Sequence, residues 1–126
     1  MARTLVEWGW TPDVVLSSDS RRTKETWAAM TDTLPDRSPR FTYRLYHAGM
    51  GELRQELSQL PSDAQCVLAL GHNPGWENAV SWLTNEPCQM TTANCALLTG
   101  SGDTWAEALA ARGAWELHAL LRPKEL

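Results

Sequence analysis

The chain has 126 residues, 43% of them hydrophobic and 21% charged, which fits one globular domain and excludes a disordered, collagen-like or low-complexity chain. A net charge of -4 argues against a protein whose main task is coating nucleic acid. No apolar run reaches the ~18 residues that span a bilayer, and Glu7 interrupts the place where a signal peptide needs its apolar stretch. A cytoplasmic protein with no nucleic-acid or membrane partner is therefore expected.

In chain order, Arg3 to Trp8 reads as the end of an amphipathic helix stopped by Gly9. Val14-Val15-Leu16 is wholly apolar, as in a strand buried on both faces of a parallel sheet. Ser17-Ser18-Asp19-Ser20 supplies N-cap residues for a helix from about Arg21 to Leu34. Phe41 to Tyr46 alternates like a strand, and Glu52 to Leu60 carries Leu53, Leu57 and Leu60 at helical spacing. Cys66 to Leu70 is a second buried strand, stopped by Gly71-His72-Asn73-Pro74-Gly75. Asn73 suits the N-cap and Pro74 the first position of a helix running to about Leu83. Cys95 to Leu98 is a third apolar strand, Thr104 to Ala111 a short helix, and Trp115 to Leu121 a last strand. Strands alternating with helices predict an α/β domain with a largely parallel sheet.

Three cysteines, Cys66, Cys88 and Cys95, with no CxxC pair read as reduced thiols. Neither a disulfide framework nor a metal site is expected. No cofactor is indicated. The seven Trp fall mainly at core positions, with Trp76 the one placed to line a pocket. His47 and His118 read as surface histidines. Glu52 suits the first turn of its helix and needs no chemical role.

Two junctions share one design. In each, a buried strand ends in a polar bend that opens a helix, and ligands of open α/β sheets bind at such strand ends. Helix N-termini there offer free N–H groups. Arg22 has the bidentate fork that suits phosphate oxygens, and His72 adds a titratable donor. The pair predicts an anion site, foremost for phosphate. Ser18, Asp19 and Ser20 are accounted for as caps, Asn73 and Pro74 as helix initiation, and Arg22 by solvation. His72 is harder to explain without a function.

Val15 to Thr26 resembles the segment of the histidine phosphatase superfamily that carries its second phosphate-binding arginine. In that pattern a serine lies four residues before the arginine and a threonine four after, which Ser18, Arg22 and Thr26 fit. Val67 to Gly75 resembles the second-histidine motif of the short SixA-type phosphohistidine phosphatase branch, and Trp115 to Lys124 is similar to the ending of that branch. The resemblance implies a three-layer α/β/α, phosphoglycerate-mutase-like fold. It also implies phosphoryl transfer onto a nucleophilic histidine, then hydrolysis of that phosphohistidine. It assigns Arg22 and His72 as catalytic, phosphate-binding residues with Ser18 and Asn73 as supports. The implied substrate is phosphohistidine or another small phosphorylated target, with a phosphorylated protein among the candidate partners.

The family's Arg-His-Gly motif, which holds its nucleophile and first arginine, occurs nowhere in this sequence. The expectation is one domain over residues 1–126, N-terminally incomplete and lacking its first strand. No nucleophile is in the chain, and a homo-oligomer through an exposed sheet edge is a possible outcome. The alternative is a non-catalytic phosphate- or protein-binding module of the same fold. A weaker third reading is a structural domain that interacts through its open edge.

Overall fold

The computed structural model describes residues 2–30, 39–46, 48–90 and 94–121. The expected helix end at Leu34 and the expected surface residue His47 lie outside them. Helix α1 (Ala2–Glu7) ends at Gly9, whose φ of +79° is the left-handed stop that glycine supplies without strain. Strand β1 (Val14–Ser18) follows, with Val15 to Ser18 all buried. Ser20 caps helix α2 (Arg21–Met30): its Oγ accepts from Thr23 N at 3.3 Å, and its carbonyl accepts the first helical bond from Lys24 N.

Strand β2 is shorter than the alternation predicts. It covers Arg40–Thr42, and Tyr43–Leu45 then winds into a 3-10 turn that Thr42 caps by accepting from Arg44 N. The turn drives Leu45 fully into the core, a gain that a continued strand would forgo. Helix α3 (Met50–Leu57), strand β3 (Val67–Leu70) and helix α4 (Gly75–Thr84) complete the middle of the chain. Strand β4 (Cys95–Thr99), helix α5 (Trp105–Ala108, capped by Thr104) and strand β5 (Glu116–Leu121) complete the described chain.

Strands β2-β1-β3 form a parallel sheet with β1 central, in the register Leu16↔Ala69 and Ser18↔Thr42. The expected largely parallel sheet is present, with an antiparallel departure at its far side. Strands β4 and β5 pair antiparallel, with an irregularity at Leu97/Leu98, and no ladder joins them to the parallel sheet among the described residues. Packing nevertheless makes the two sheets one middle layer. On one face Leu5, Trp27 and Met30 of α1 and α2 meet Val15, Leu97 and Leu121. On the other, Leu53, Leu57, Ala79 and Leu83 of α3 and α4 meet Leu16, Leu45 and Leu109. Each fully buried aliphatic side chain contributes about 1.5–3 kcal/mol, so both cores bind sheet to helices on their own account. The three layers match the expected α/β/α architecture.

One buried charge fixes the edge strand. Glu56 of α3 is 1% exposed and receives hydrogen bonds from Arg40 of β2 and, at 3.4 Å, from Arg44 of the 3-10 turn. Both guanidiniums are half exposed, so the carboxylate is compensated and the arginines stay hydrated. Arg44 has its pKa raised by a hydrogen bond to Tyr43 and by Glu56.

Candidate functional site

Parallel pairing brings the carboxyl ends of β1 and β3 side by side, and the two motifs meet there. Ser18, the last residue of β1, is fully buried, and its Oγ lies 3.0 Å from His72 Nε2 just beyond β3. The same Oγ accepts from Ser20 N at 3.2 Å. With that lone pair engaged, the hydroxyl can still donate to a neutral imidazole or accept from its N–H. The Ser18 carbonyl receives Thr23 Oγ1 at 2.7 Å and Ser17 Oγ at 2.8 Å, so the strand end is held by both strand and helix. Ser18 is therefore no helix cap. Ser20 performs that task, and Ser18 is free to face His72.

Arg22 occupies the first turn of α2, is exposed, and makes no side-chain hydrogen bond or ion pair among the described residues. Its neighbour Arg21 is instead paired with Glu25 at 2.9 Å. Thr26, one turn on, hydrogen-bonds back to the Arg22 carbonyl at 3.0 Å, which explains the Arg22/Thr26 spacing by helix geometry.

Asn73 departs from its expected capping role. Pro74 is the N-cap of α4, and the Asn73 amide donates to the Met90 carbonyl at 2.8 Å, tying the His72 loop to a distant segment. The Asn73–Pro74 peptide is cis. The helix opens instead with Trp76 N donating to the His72 carbonyl at 3.1 Å. A cleft of about 250 Å³ lies beside this loop, lined by His72, Asn73, Gly75 and Asn78 of the loop and α4 and by Ala48 and Gly49 opposite. Trp76 does not line it. Its Nε1 donates to the Ala69 carbonyl and its ring covers Gly71, where a Cβ would come within 2.5 Å of the indole. A larger open depression of about 400 Å³ beside Asp13, Pro61 and Asp63 lies at the amino ends of β1 and β3, opposite the strand ends that carry Ser18 and His72.

One neighbour of His72 escaped the sequence reading. The Tyr46 ring centroid lies 5.1 Å from that of His72, tilted by 58°. Reading 41–46 as a strand hid the turn that swings Tyr46 round to the site. His118 is exposed as expected, but Trp10 at 5.5 Å and Trp8 at 6.4 Å flank its ring, away from His72. The three cysteines are free thiols. Burial pushes the Cys95 thiol up to about 11 and raises that of Cys66, whose Sγ lies 3.7 Å from the Trp10 carbonyl. Among the described residues no three His, Cys, Asp or Glu side chains gather as a metal site, and no helix is long and apolar enough to cross a membrane.

Strand order, the three layers and the two strand ends that carry the motifs match the fold of the histidine phosphatase superfamily. Three solved structures that this chain matches over nearly its whole length carry the name SixA. A protein from Nakamurella multipartitia assigned as phosphohistidine phosphatase SixA superposes with a TM-score of 0.75 at 27% identity, covering 97% of this chain and 79% of that one. The protein histidine phosphatase SixA solved with tungstate gives 0.79 at 22% identity, covering 98% and 77%. A SixA assigned to the same activity from Agrobacterium tumefaciens gives 0.70 at 20%. An uncharacterised chloroplastic protein of Arabidopsis thaliana is 35% identical over 135 aligned positions, covering 98% of this chain. This chain spans 62% of that relative's length. No family profile matches the chain.

Proposed function

We propose that the chain carries the phosphoryl-binding half of a phosphohistidine phosphatase site. Arg22 and His72 hold the phosphoryl oxygens, Ser18 sets the His72 ring, and Asn73 holds the loop. The observation that carries the reading is the 3.0 Å Ser18–His72 contact, which joins the ends of the two motif strands beside the start of a ten-residue helix. Arg22, unpaired among the described residues at that helix start, supplies a planar cation where helix N–H groups already favour an oxyanion. The tungstate complex of a protein sharing this fold supports an oxyanion ligand.

The nucleophile belongs to no residue of this chain. Among the described residues no strand pairs β3 on its far side or joins it to the β4–β5 pair, and one more strand there would complete the middle layer, its carboxyl end delivering a histidine beside His72. In that complete site the phosphoryl group passes to the histidine nitrogen as the leaving group departs. Water then attacks phosphorus, releasing inorganic phosphate and restoring the imidazole. The protein's contribution is positioning and charge stabilisation. A phosphorylated protein, or another small phosphorylated target, is the substrate. A cytoplasmic location is our reading for this chain, beside a relative named chloroplastic.

Titration with tungstate tests the site. The wild type binds, and Arg22→Ala and His72→Ala each weaken binding at least tenfold. Binding that ignores both substitutions refutes the assignment. The missing Arg-His-Gly motif favours a second reading, a non-catalytic phosphate- or protein-binding module. Tungstate binding without aryl phosphate turnover selects it.

A further inference from the structure

The proposed function uses Arg22, His72 and Ser18 and leaves unexplained a strip of exposed aromatic side chains next to them. Phe41 is 39% exposed, Tyr43 70% and Tyr46 48%, within six residues of β2 and the turn that follows. Tyr46 touches His72, while Phe41 sits level with Ser17 on the edge strand. Burying any of these rings elsewhere would have been favourable, so three in a row at the rim of one site is a patch of the kind that marks a binding surface.

Charge marks the same surface. Residues 21–30 and 40–46 hold five of the chain's 11 Lys and Arg but one of its 15 Asp and Glu, in a chain of net charge -4. Arg21 is paired with Glu25, and Arg40 and Arg44 with the buried Glu56. Arg22 has no side-chain partner among the described residues, and Lys24 reaches over the Phe41 ring with Nζ 5.4 Å from its centroid. The strip therefore couples aromatic faces to a local positive field on an otherwise acidic molecule.

Its length selects the occupant. From Phe41 to Tyr46 the chain advances about 10–13 Å, at ~3.3 Å per strand residue and ~2 Å per 3-10 residue. A small phosphate ester seated on Arg22 and His72 ends at Tyr46. Only a macromolecule reaches Tyr43, Phe41 and Lys24 as well. Resting on the proposed function, we infer that Phe41, Tyr43, Tyr46 and Lys24 form a docking strip for an acidic protein surface that presents the phosphorylated side chain to Arg22 and His72.

The probe is a small acidic protein with one histidine phosphorylated by phosphoramidate, dye-labelled and followed by fluorescence anisotropy. Its unphosphorylated form and tungstate are titrated in parallel. The wild type binds the phosphorylated protein at least tenfold more tightly than free phosphohistidine, and this advantage falls several-fold between 50 and 200 mM salt, concentrations chosen on the order of the screening range. The double variant Phe41→Ala/Tyr43→Ala and the single variant Lys24→Glu each remove about tenfold, in the range of interface aromatic and charge truncations, and leave tungstate affinity unchanged. Tyr43 is so exposed that Tyr43→Ala alone, expected to lose about threefold, guards against a misfolded double variant.

Equal binding of the protein probe by wild type and variants overturns the strip. So does self-association of the wild type that the same variants abolish, which makes a second copy of the chain the occupant. Failure of the wild type to bind tungstate refutes the proposed function instead. The unphosphorylated protein still reports on the strip in that case, by losing affinity to the variants.

Discussion

Gly75→Ala tests the packing that builds the cleft beside His72. Gly75 opens α4, and a Cβ there would lie 2.9 Å from the Ala48 carbonyl carbon and deep inside the contact distance of its oxygen. Both obstacles are backbone, so no side-chain rotamer relieves the clash; the 48–49 segment or the helix start must move by about 1 Å. Overpacking of this kind costs about 1–3 kcal/mol, and backbone displacement places this case near about 3. For a domain of this size each kcal/mol shifts Tm by roughly 4 °C, so the variant melts about 12 °C lower. Gly51→Ala is the matched control. Gly51 also lies in the first turn of a helix, α3, but a Cβ there meets nothing within 4 Å. Alanine at 51 is expected to leave Tm unchanged or raise it by a few degrees, through its better helix propensity of up to about 1 kcal/mol. Melting followed by circular dichroism measures both. Tungstate titration of Gly75→Ala is expected to show weaker binding, because the displaced segments are the two walls of the cleft. Equal melting temperatures for the two variants would refute the steric argument, since helix propensity alone treats the sites alike.

Removing the Glu56 carboxylate in Glu56→Ala is expected to cost about 2–3 kcal/mol. That is below the ~3–5 of a fully buried pair, because both arginines are half exposed and rehydrate. Urea denaturation measures it, and Glu56→Gln, which keeps an acceptor, should recover part of the loss. The Cys95 thiol, held up at about 11 by burial, should resist iodoacetamide in the folded protein at pH 8 and react on unfolding. Because its folded pKa exceeds the ordinary 9.0, its contribution to stability is complete below pH 9 and is lost as pH rises toward 11. Melting curves across that range should fall for the wild type and flatten for Cys95→Ala. The strand edges of β3 and of the β4–β5 pair, unpaired among the described residues, predict a melting temperature that rises with protein concentration, as edges pair between copies. A concentration-independent melt of a monomer in sedimentation would contradict it.

Much of this molecule was legible before any coordinates. The apolar runs at Val14 to Leu16 and Val67 to Leu70 are strands as expected, Val15 and Leu16 buried as a doubly covered strand requires, whereas Val67 to Leu70 is only half-buried along its length. Ser20 caps its helix by local chemistry, and Gly9 ends its helix by a conformation glycine adopts freely. Thr104 likewise caps α5 from within four residues. These are interactions between near neighbours, so the sequence contains both partners in plain order. Elements whose fate depended on distant groups were misread. Phe41 to Tyr46 alternates like a strand, but the reward for burying Leu45 and the anchorage of Arg40 and Arg44 on Glu56 end the strand at Thr42 and wind Tyr43–Leu45 into a 3-10 turn. Asn73 is a fitting cap by type, yet the Met90 carbonyl, 17 residues on, claimed its amide.

Local residue patterns decided that a polar bend follows each apolar strand, and that Arg22 and His72 stand at the openings of two helices. Fifty residues separate these bends, and nothing local decides whether they meet. Only the parallel pairing of β1 with β3 sets Ser18 3.0 Å from His72, turning a serine that reads as a cap into the link between the two motifs. Only the turn after β2 brings the Tyr46 ring onto the same imidazole. The physical reason is one of range. Capping and periodicity act over four residues, whereas a site at strand ends is assembled by sheet register and core packing, whose partners lie anywhere in the chain.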